Sequence, residues 1–386
     1  MIFDPLLDMF RGKAITIPPM DGAFRANTAL DGAHVLASLA APDALAWHQG
    51  RLIASSGCDL VAVGQGVIET HAAPITALAT STSGVVALAL DSGVLRLDGQ
   101  SLPLPENLRC ITALSFGPDG ALWLANGSTR HPASGWVVDL MEKNASGSVW
   151  RFESGAFSQI SGGLAFPYGV LPVAKGVTVS ESWRHQLIRL EAGRKTEVLR
   201  HLPGYPARIS PAADGGAWLA LFAPRNRLIE FVLQETHYRY DMMAEVPREN
   251  WIAPALSSCR SFLEPLQCGG IKTLGVHKAW SPSRSCGMVV RLGADMTPLA
   301  SWHSRANGNR HGTTCALQAG GRLFVASKGG DCVLSLDGGN VMIRSSGWKK
   351  SPNPTGQFPP CARWISICAG AKFTHCWAKT ALVNRR

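Results

Sequence analysis

No glutamate follows Glu264 in this 386-residue chain, and no acidic residue of either kind follows Asp337. Charge is scarce elsewhere too: Asp, Glu, Lys and Arg make up 17% of residues. The formal net charge of +10 therefore misleads. Eight basic residues lie beyond Asp337, at Arg344, Lys349, Lys350, Arg363, Lys372, Lys379, Arg385 and Arg386. Removing these eight from the 37 basic residues leaves 29 against 27 acidic ones, a nearly neutral body. Nucleic-acid binding needs a basic face on the folded domain, so the sequence argues against it. The ten cysteines include no CxxC pair, which excludes zinc-ribbon spacing. In a chain this long they read as small buried hydrophobes rather than a disulfide framework. No apolar run reaches the roughly 18 residues a membrane span requires. The start, MIFDPLLDMFRGKAITIPP, is interrupted by Asp4 and Asp8 and lacks the basic-then-apolar order of a secretory signal. The expectation is a cytoplasmic protein without a membrane span.

What is abundant is punctuation. Glycine occurs 40 times and proline 24 times, while hydrophobic residues still reach 46%. Short strands joined by tight turns suit that balance better than long solvated helices. A repeat runs through the chain: an apolar pair, a turn ending in Gly, three or four apolar residues, a polar gap and a further apolar strand. It appears in DALAWHQGRLIASSGCDLVAV (43–63), ITALATSTSGVVALALDSGVLRLDG (75–99) and ITALSFGPDGALWLANGS (111–128), the last closed by GSVWRFE (147–153). It returns in FPYGVLPVAKGVTVSESWRHQLIRL (166–190), ARISPAADGGAWLALFAPRNRLIEFVL (207–233) and TTCALQAGGRLFVASKGGDCVLSLDGG (313–339). One copy cannot bury both faces of its sheet, but six packed around an axis can. The expected fold is all-β, a six-bladed β-propeller over residues 1–338. Residues 234–285 break the pattern with HYRYDMMAEVPRENWIAPALSS and read as a small helical cap between blades five and six. Residues 339–386 form a basic tail of different composition, expected to be poorly ordered.

Three segments carry a family resemblance. FPYGV with VTVSESWRHQLIRL resembles the strictosidine synthase-like family, in a stretch usually led by Phe-Ala-Asn-Gly. LPGYPARISPAADGGAWLAL (202–221) resembles that family's Leu-Pro-Gly-Tyr-Pro-Asp-Asn segment, and GSVWRFE is similar to its Gly-x-Val-Trp/Tyr-Arg strand. The resemblance implies a six-bladed propeller grouped with lactonases and arylesterases of the gluconolactonase and paraoxonase type. It also implies a small molecule in the central channel and a calcium or similar divalent ion there. Hard ions take carboxylate and amide oxygens, and by position Asp43 and Asn126 are the candidates.

The chain departs from that pattern at several positions. Tyr168 stands where the family places an asparagine, and Ala207 and Arg208 stand at its Asp-Asn pair. The condensing reaction of the plant members uses a last-blade glutamate as acid and base. Here that segment reads NRHGTTCALQ (309–318), with His311 or Thr314 near the position. The expectation is a propeller acting on a small organic molecule, most simply by lactone or ester hydrolysis. Arg208 would hold an oxyanion or carboxylate, His311 would handle protons, and Tyr168 and Asn126 would contact the ligand. The alternative is a non-catalytic binding module for a small anion, held by Arg208 and Tyr168. Arg208 could equally form an ion pair with Asp43.

Overall fold

The computed structural model describes residues 17–256, 286–305 and 309–337, together with the backbone of four short strands between 266 and 282. The tail expected at 339–386 lies outside the described residues. Six four-stranded antiparallel sheets are present. The innermost strands are Pro42–His48, Ile75–Thr80, Ile111–Phe116, Pro167–Val173, Gly204–Pro211 and Thr313–Ala319. Each packs against the next, and the sixth packs against the first, closing a ring. The repeat spacing thus gave the blade count correctly.

Blade 6 is closed by a strand the sequence repeat does not include. His34–Ser38 pairs antiparallel with Cys332–Asp337, so both ends of the described chain share one sheet. This pairing ties the two ends of the described chain together at the seam of the ring.

The helical cap is placed differently from the sequence expectation. It interrupts blade 5 rather than joining blades five and six, because Ala217–Pro224 pairs directly with Met288–Leu292 across the insertion. The insertion carries two helices, Arg227–Gln234 and Thr236–Glu245. Asn226 starts the first, its side chain accepting from Leu228 N–H at 2.8 Å, which satisfies one of the donors a helix start leaves open. Two short strand pairs follow, Leu266–Gln267 with Ser281–Pro282 and Ile271–Thr273 with Val276–Lys278. Among the described residues no helix is long and apolar enough to cross a membrane.

The core is divided among the blade interfaces. Between blades 2 and 3, Ala77, Ala87 and Ala89 meet Ile111, Leu122 and Leu124. Between blades 4 and 5, Leu171 and Leu187 meet Ile209, Leu219 and Met288. The small alanines of blades 1 and 2 let the sheets approach closely, and the branched residues fill the wedge that widens outward. A separate cluster lies at the strand-start end of the ring. There Leu140 and Met141 of the short helix Trp136–Met141 pack with Tyr205, Phe222, Val232, Met242 and Trp251. This cluster seats the insertion on the propeller.

Hydroxyl groups stitch neighbouring blades together. Thr76 donates to Ile111 O at 2.6 Å, Thr112 to Pro167 O at 2.6 Å and Ser180 to Ala207 O at 2.6 Å. Ser210 donates to Ala316 O at 2.5 Å and Thr314 to Asp43 O at 2.8 Å. Each bonds an inner-strand carbonyl of the adjacent blade.

Candidate ligand cavity above an arginine plug

The starts of the inner strands bring Asp43, Thr76, Thr112, Tyr168 and Thr314 around the axis at one end of the ring. Arg208, on the inner strand of blade 5, reaches into their centre. Its Nη1 donates to Asp43 O at 3.1 Å and to Asp43 Oδ1 at 2.8 Å. Its Nη2 donates to Thr76 O at 2.6 Å and Thr112 O at 3.0 Å. Four oxygens from three blades therefore converge on one guanidinium. The Tyr168 ring lies over it, 5.1 Å from the ring centroid to Cζ, a favourable cation–π placement. The Tyr168 hydroxyl reaches Asp43 Oδ1 at 3.4 Å.

A second cation completes the group. Lys328, in the turn after Arg322–Ser327, places Nζ 3.2 Å from Asp43 Oδ2. Asp43 and Arg208 are buried, while the Lys328 side chain is 32% exposed. Burial alone would raise the Asp43 carboxyl, but the charges of Arg208 and Lys328 overcome it and hold the group far below the usual carboxylate range. Burial would lower the Lys328 ammonium, yet Asp43 keeps it above its ordinary value. Lys328 is thus an ammonium donor, not a free amine nucleophile. Tyr168 is pushed upward by burial and by Asp43, so its phenol stays protonated.

Asp43 and Lys328 form the floor of a cavity of about 160 Å³, and Arg208 is not among the residues that line it. Its walls are Trp136, Phe166, Tyr168, Trp183 and Phe222, with Leu256 of the insertion among them. Phe166 adopts φ +52°, a left-handed backbone that bulky residues seldom take. The turn holds it there: Ser182 N–H and Trp183 N–H donate to the carbonyls of Phe166 and Ala165. As a result the Phe166 ring stacks on Trp183, centroids 4.4 Å apart. Buried Asp139 fixes Trp183 from behind, accepting its indole N–H at 2.8 Å and the Asn144 amide at 2.5 Å. Glu181 pairs with Arg184 and also accepts from Ala165 N–H and Gln186. On the other side of the plug the inner strands enclose a wider compartment of about 540 Å³, of which Arg208 is a wall.

The expected site residues are divided by this geometry. Asp43, Tyr168 and Arg208 meet at the axis. Asn126 does not join them. Its side-chain oxygen accepts from Arg109 N–H at 3.2 Å and Cys110 N–H at 2.8 Å, and its nitrogen donates to Asn107 O at 2.9 Å. It holds a blade 3 loop in place. The His311 ring packs against Gly329, where an added Cβ would lie 2.4 Å from it, and His311 is not among the residues lining the cavity. Lys328 carried no signal in the sequence, since SKGGD reads as an ordinary turn. The position of Thr314 in NRHGTTCALQ did point to the axis.

A divalent ion, as the sequence resemblance implies, does not fit the residues present. The Arg208 guanidinium already takes the converging carbonyls and one Asp43 oxygen, and Lys328 takes the other. An added ion would meet two like charges in a buried setting. Among the described residues no three His, Cys, Asp or Glu side chains gather as a metal site would require.

The architecture has counterparts among solved structures. A gluconolactonase from Xanthomonas campestris superposes with a TM-score of 0.50 at 15% identity, over 84% of this chain and 97% of that one. The chain shares its fold with gluconolactonase- and regucalcin-type propellers. Regucalcin from Agrobacterium tumefaciens, described as a calcium-binding protein, gives a TM-score of 0.50 at 14% identity over 79% and 93% of the two chains. A luciferin-regenerating enzyme gives 0.50 at 11% identity over 78% and 93%. No family model and no curated protein matches the chain. At these identities the likeness is one of fold.

Proposed function

We propose that the protein binds a small organic molecule bearing a carboxylate or carbonyl oxygen in the aromatic-walled cavity, without a metal ion. The observation that carries this reading is Lys328. It presents a partly exposed ammonium to an otherwise largely apolar pocket, with its countercharge, Asp43, held beneath it by Arg208. Apolar concavities with a few convergent polar groups are the usual form of small-ligand sites. Arg208 acts as a positioning residue, since both of its Nη groups are directed to Asp43, Thr76 and Thr112 and it is not among the residues lining the cavity.

A second reading is lactone or ester hydrolysis, favoured by the same ammonium and by the fold shared with a gluconolactonase. Water adds to the acyl carbon, the C–O bond breaks, and an alcohol, a carboxylate and a proton result. Lys328 would stabilise the developing oxyanion. The obstacle is the base, because Asp43 is held far too acidic to accept a proton near neutral pH. Assignment to the strictosidine synthase-like branch rests on the three sequence segments, and the absent last-blade glutamate argues against the condensing reaction. The test is a panel of small carboxylates, lactones and esters, followed by tryptophan fluorescence for binding and by product release for turnover, each with and without a chelator. Binding that needs Lys328 and is indifferent to the chelator supports the first reading. Turnover abolished by Lys328→Met selects the second. A chelator-sensitive signal overturns both.

A further inference from the structure

Resting on the reading of this cavity as a ligand site, we infer that its ligand is a single-ring compound with one oxygen-bearing acceptor group, not a polyhydroxylated sugar acid or its lactone. Size gives the first argument. The cavity measures about 160 Å³, close to the roughly 150 Å³ of an engineered protein cavity that holds one benzene molecule. One six-membered ring with a short substituent fills such a space.

The donors give the second argument. A sugar acid carries a hydroxyl on nearly every carbon, and each must find a partner when stripped of water. The floor hydroxyls of this cavity are already committed to the fold. Thr76 donates to Ile111 O, Thr112 to Pro167 O and Thr314 to Asp43 O. The Tyr168 hydroxyl faces Asp43, and the Trp183 indole N–H donates to Asp139. Both Asp43 oxygens accept from cations. Asp91, in the wall, accepts from Ser134 N–H through Oδ1 and leaves its other oxygen. The floor threonines therefore serve the blade-to-blade girdle.

Of the cations at the cavity, the ammonium of Lys328 remains for a ligand: it has three N–H groups and directs one at Asp43, with the Ser134 hydroxyl and the second Asp91 oxygen in the same wall. Above it stand aromatic faces: Trp183 stacked on Phe166, and Trp136 edge-on to Phe222 with centroids 5.1 Å apart. A flat ring packs on such faces, with its acceptor oxygen turned down to Lys328. Asp91, also in the wall, disfavours a second anionic group on the ligand, because like charges repel in a partly buried setting.

The test compares three probes on the whole chain by calorimetry and tryptophan fluorescence: benzoate, methyl benzoate and gluconate. Benzoate is expected to bind at least about tenfold more tightly than gluconate, since unpaired hydroxyls are a strong basis for rejection. Lys328→Met is expected to weaken benzoate about tenfold or more, and Lys328→Arg, which keeps the charge, to retain most of the binding. Leu256→Trp, which fills the cavity, is expected to remove binding of both aromatic probes. Gluconate binding as tight as benzoate, with the same dependence on Lys328, would overturn the single-ring class and leave the cavity as the ligand site. Binding of none of the three to the wild-type chain would overturn both the class and the site. Benzoate binding unaffected by Leu256→Trp and Lys328→Met would place it elsewhere and overturn the inference.

Discussion

Replacing Arg208 with alanine should be the most damaging single change at the axis. The guanidinium makes two hydrogen bonds to Asp43 and one each to Thr76 O and Thr112 O. Removing it leaves the buried Asp43 carboxylate with Lys328 as its remaining cation and strips two inner-strand carbonyls of a donor. Breaking a buried ion pair from one side costs about 3–5 kcal/mol, chiefly because the surviving charge stays buried. At about 1.4 kcal/mol per tenfold, that is two to four powers of ten in the folding equilibrium. The pH dependence gives a second check. Asp43 is depressed in the fold, so the stability it contributes is present above the ordinary carboxylate range near 4 and is lost as pH falls below it. The Arg208→Ala penalty should therefore be large at pH 7 and should shrink in acid. Urea unfolding at both pH values measures it, with an unchanged slope showing that the unfolded state is the same. Asp43→Asn should make the Arg208 substitution less harmful than the sum of the two single changes, since contacting residues couple. A loss under about 1 kcal/mol at pH 7, additive with Asp43→Asn, would refute the argument that this pair organises the floor.

Other consequences can be measured separately. His303 is fully buried, its Nε2 lies 2.6 Å from Ser301 Oγ, and burial pushes it from 6.5 down to about 4. The unfolded chain binds this proton first, so stability is present above pH 6.5 and falls by up to about 3 kcal/mol as the pH drops toward 4; His303→Gln should flatten that slope in thermal melts across the range. Asn126→Ala removes the acceptor of the Arg109 and Cys110 N–H groups and should cost about 2–4 kcal/mol of stability while sparing ligand affinity in the surviving folded fraction. Millimolar calcium should leave the melting temperature of the wild-type chain unchanged, because a ligand stabilises only what binds it; a clear concentration-dependent rise would overturn the fit argument against a divalent ion.

The blade count was legible because it rests on local pattern. Apolar alternation and glycine turns repeat in each copy, and each turn works within a few residues. Gly120 in GPDG and Gly215 in ADGG both have positive φ, at +81° and +89°, as such turns require. The insertion was visible as a break in the repeat. Its place inside blade 5 was not, because that depends on Ala217–Pro224 pairing with Met288–Leu292 across some sixty intervening residues. Closure of blade 6 by His34–Ser38 was hidden for the same reason, since pairing of chain ends leaves no local mark.

The site was legible in part. Asp43, Tyr168 and Arg208 stood out because each marks the start or middle of an inner strand, and inner strands must line the axis. Their ion pair was foreseen as one of two roles for Arg208. Asn126 ends the second strand of blade 3 and turns onto Arg109 and Cys110, while His311, just before the inner strand of blade 6, turns onto Gly329. Lys328 was missed entirely. It lies 285 residues from Asp43 along the chain, in a turn whose sequence has no distinguishing feature.

By itself, then, the amino-acid order determined a ring of six small sheets, through periodicity and turn chemistry that act over a few residues. Only the tertiary structure decided that Arg208 occupies the axis as a plug, that the floor threonines bond from blade to blade, and that Lys328 faces the cavity. Those outcomes depend on closing the ring, which brings together side chains more than a hundred residues apart. Their charges and donors can be assigned only after every blade has taken its place.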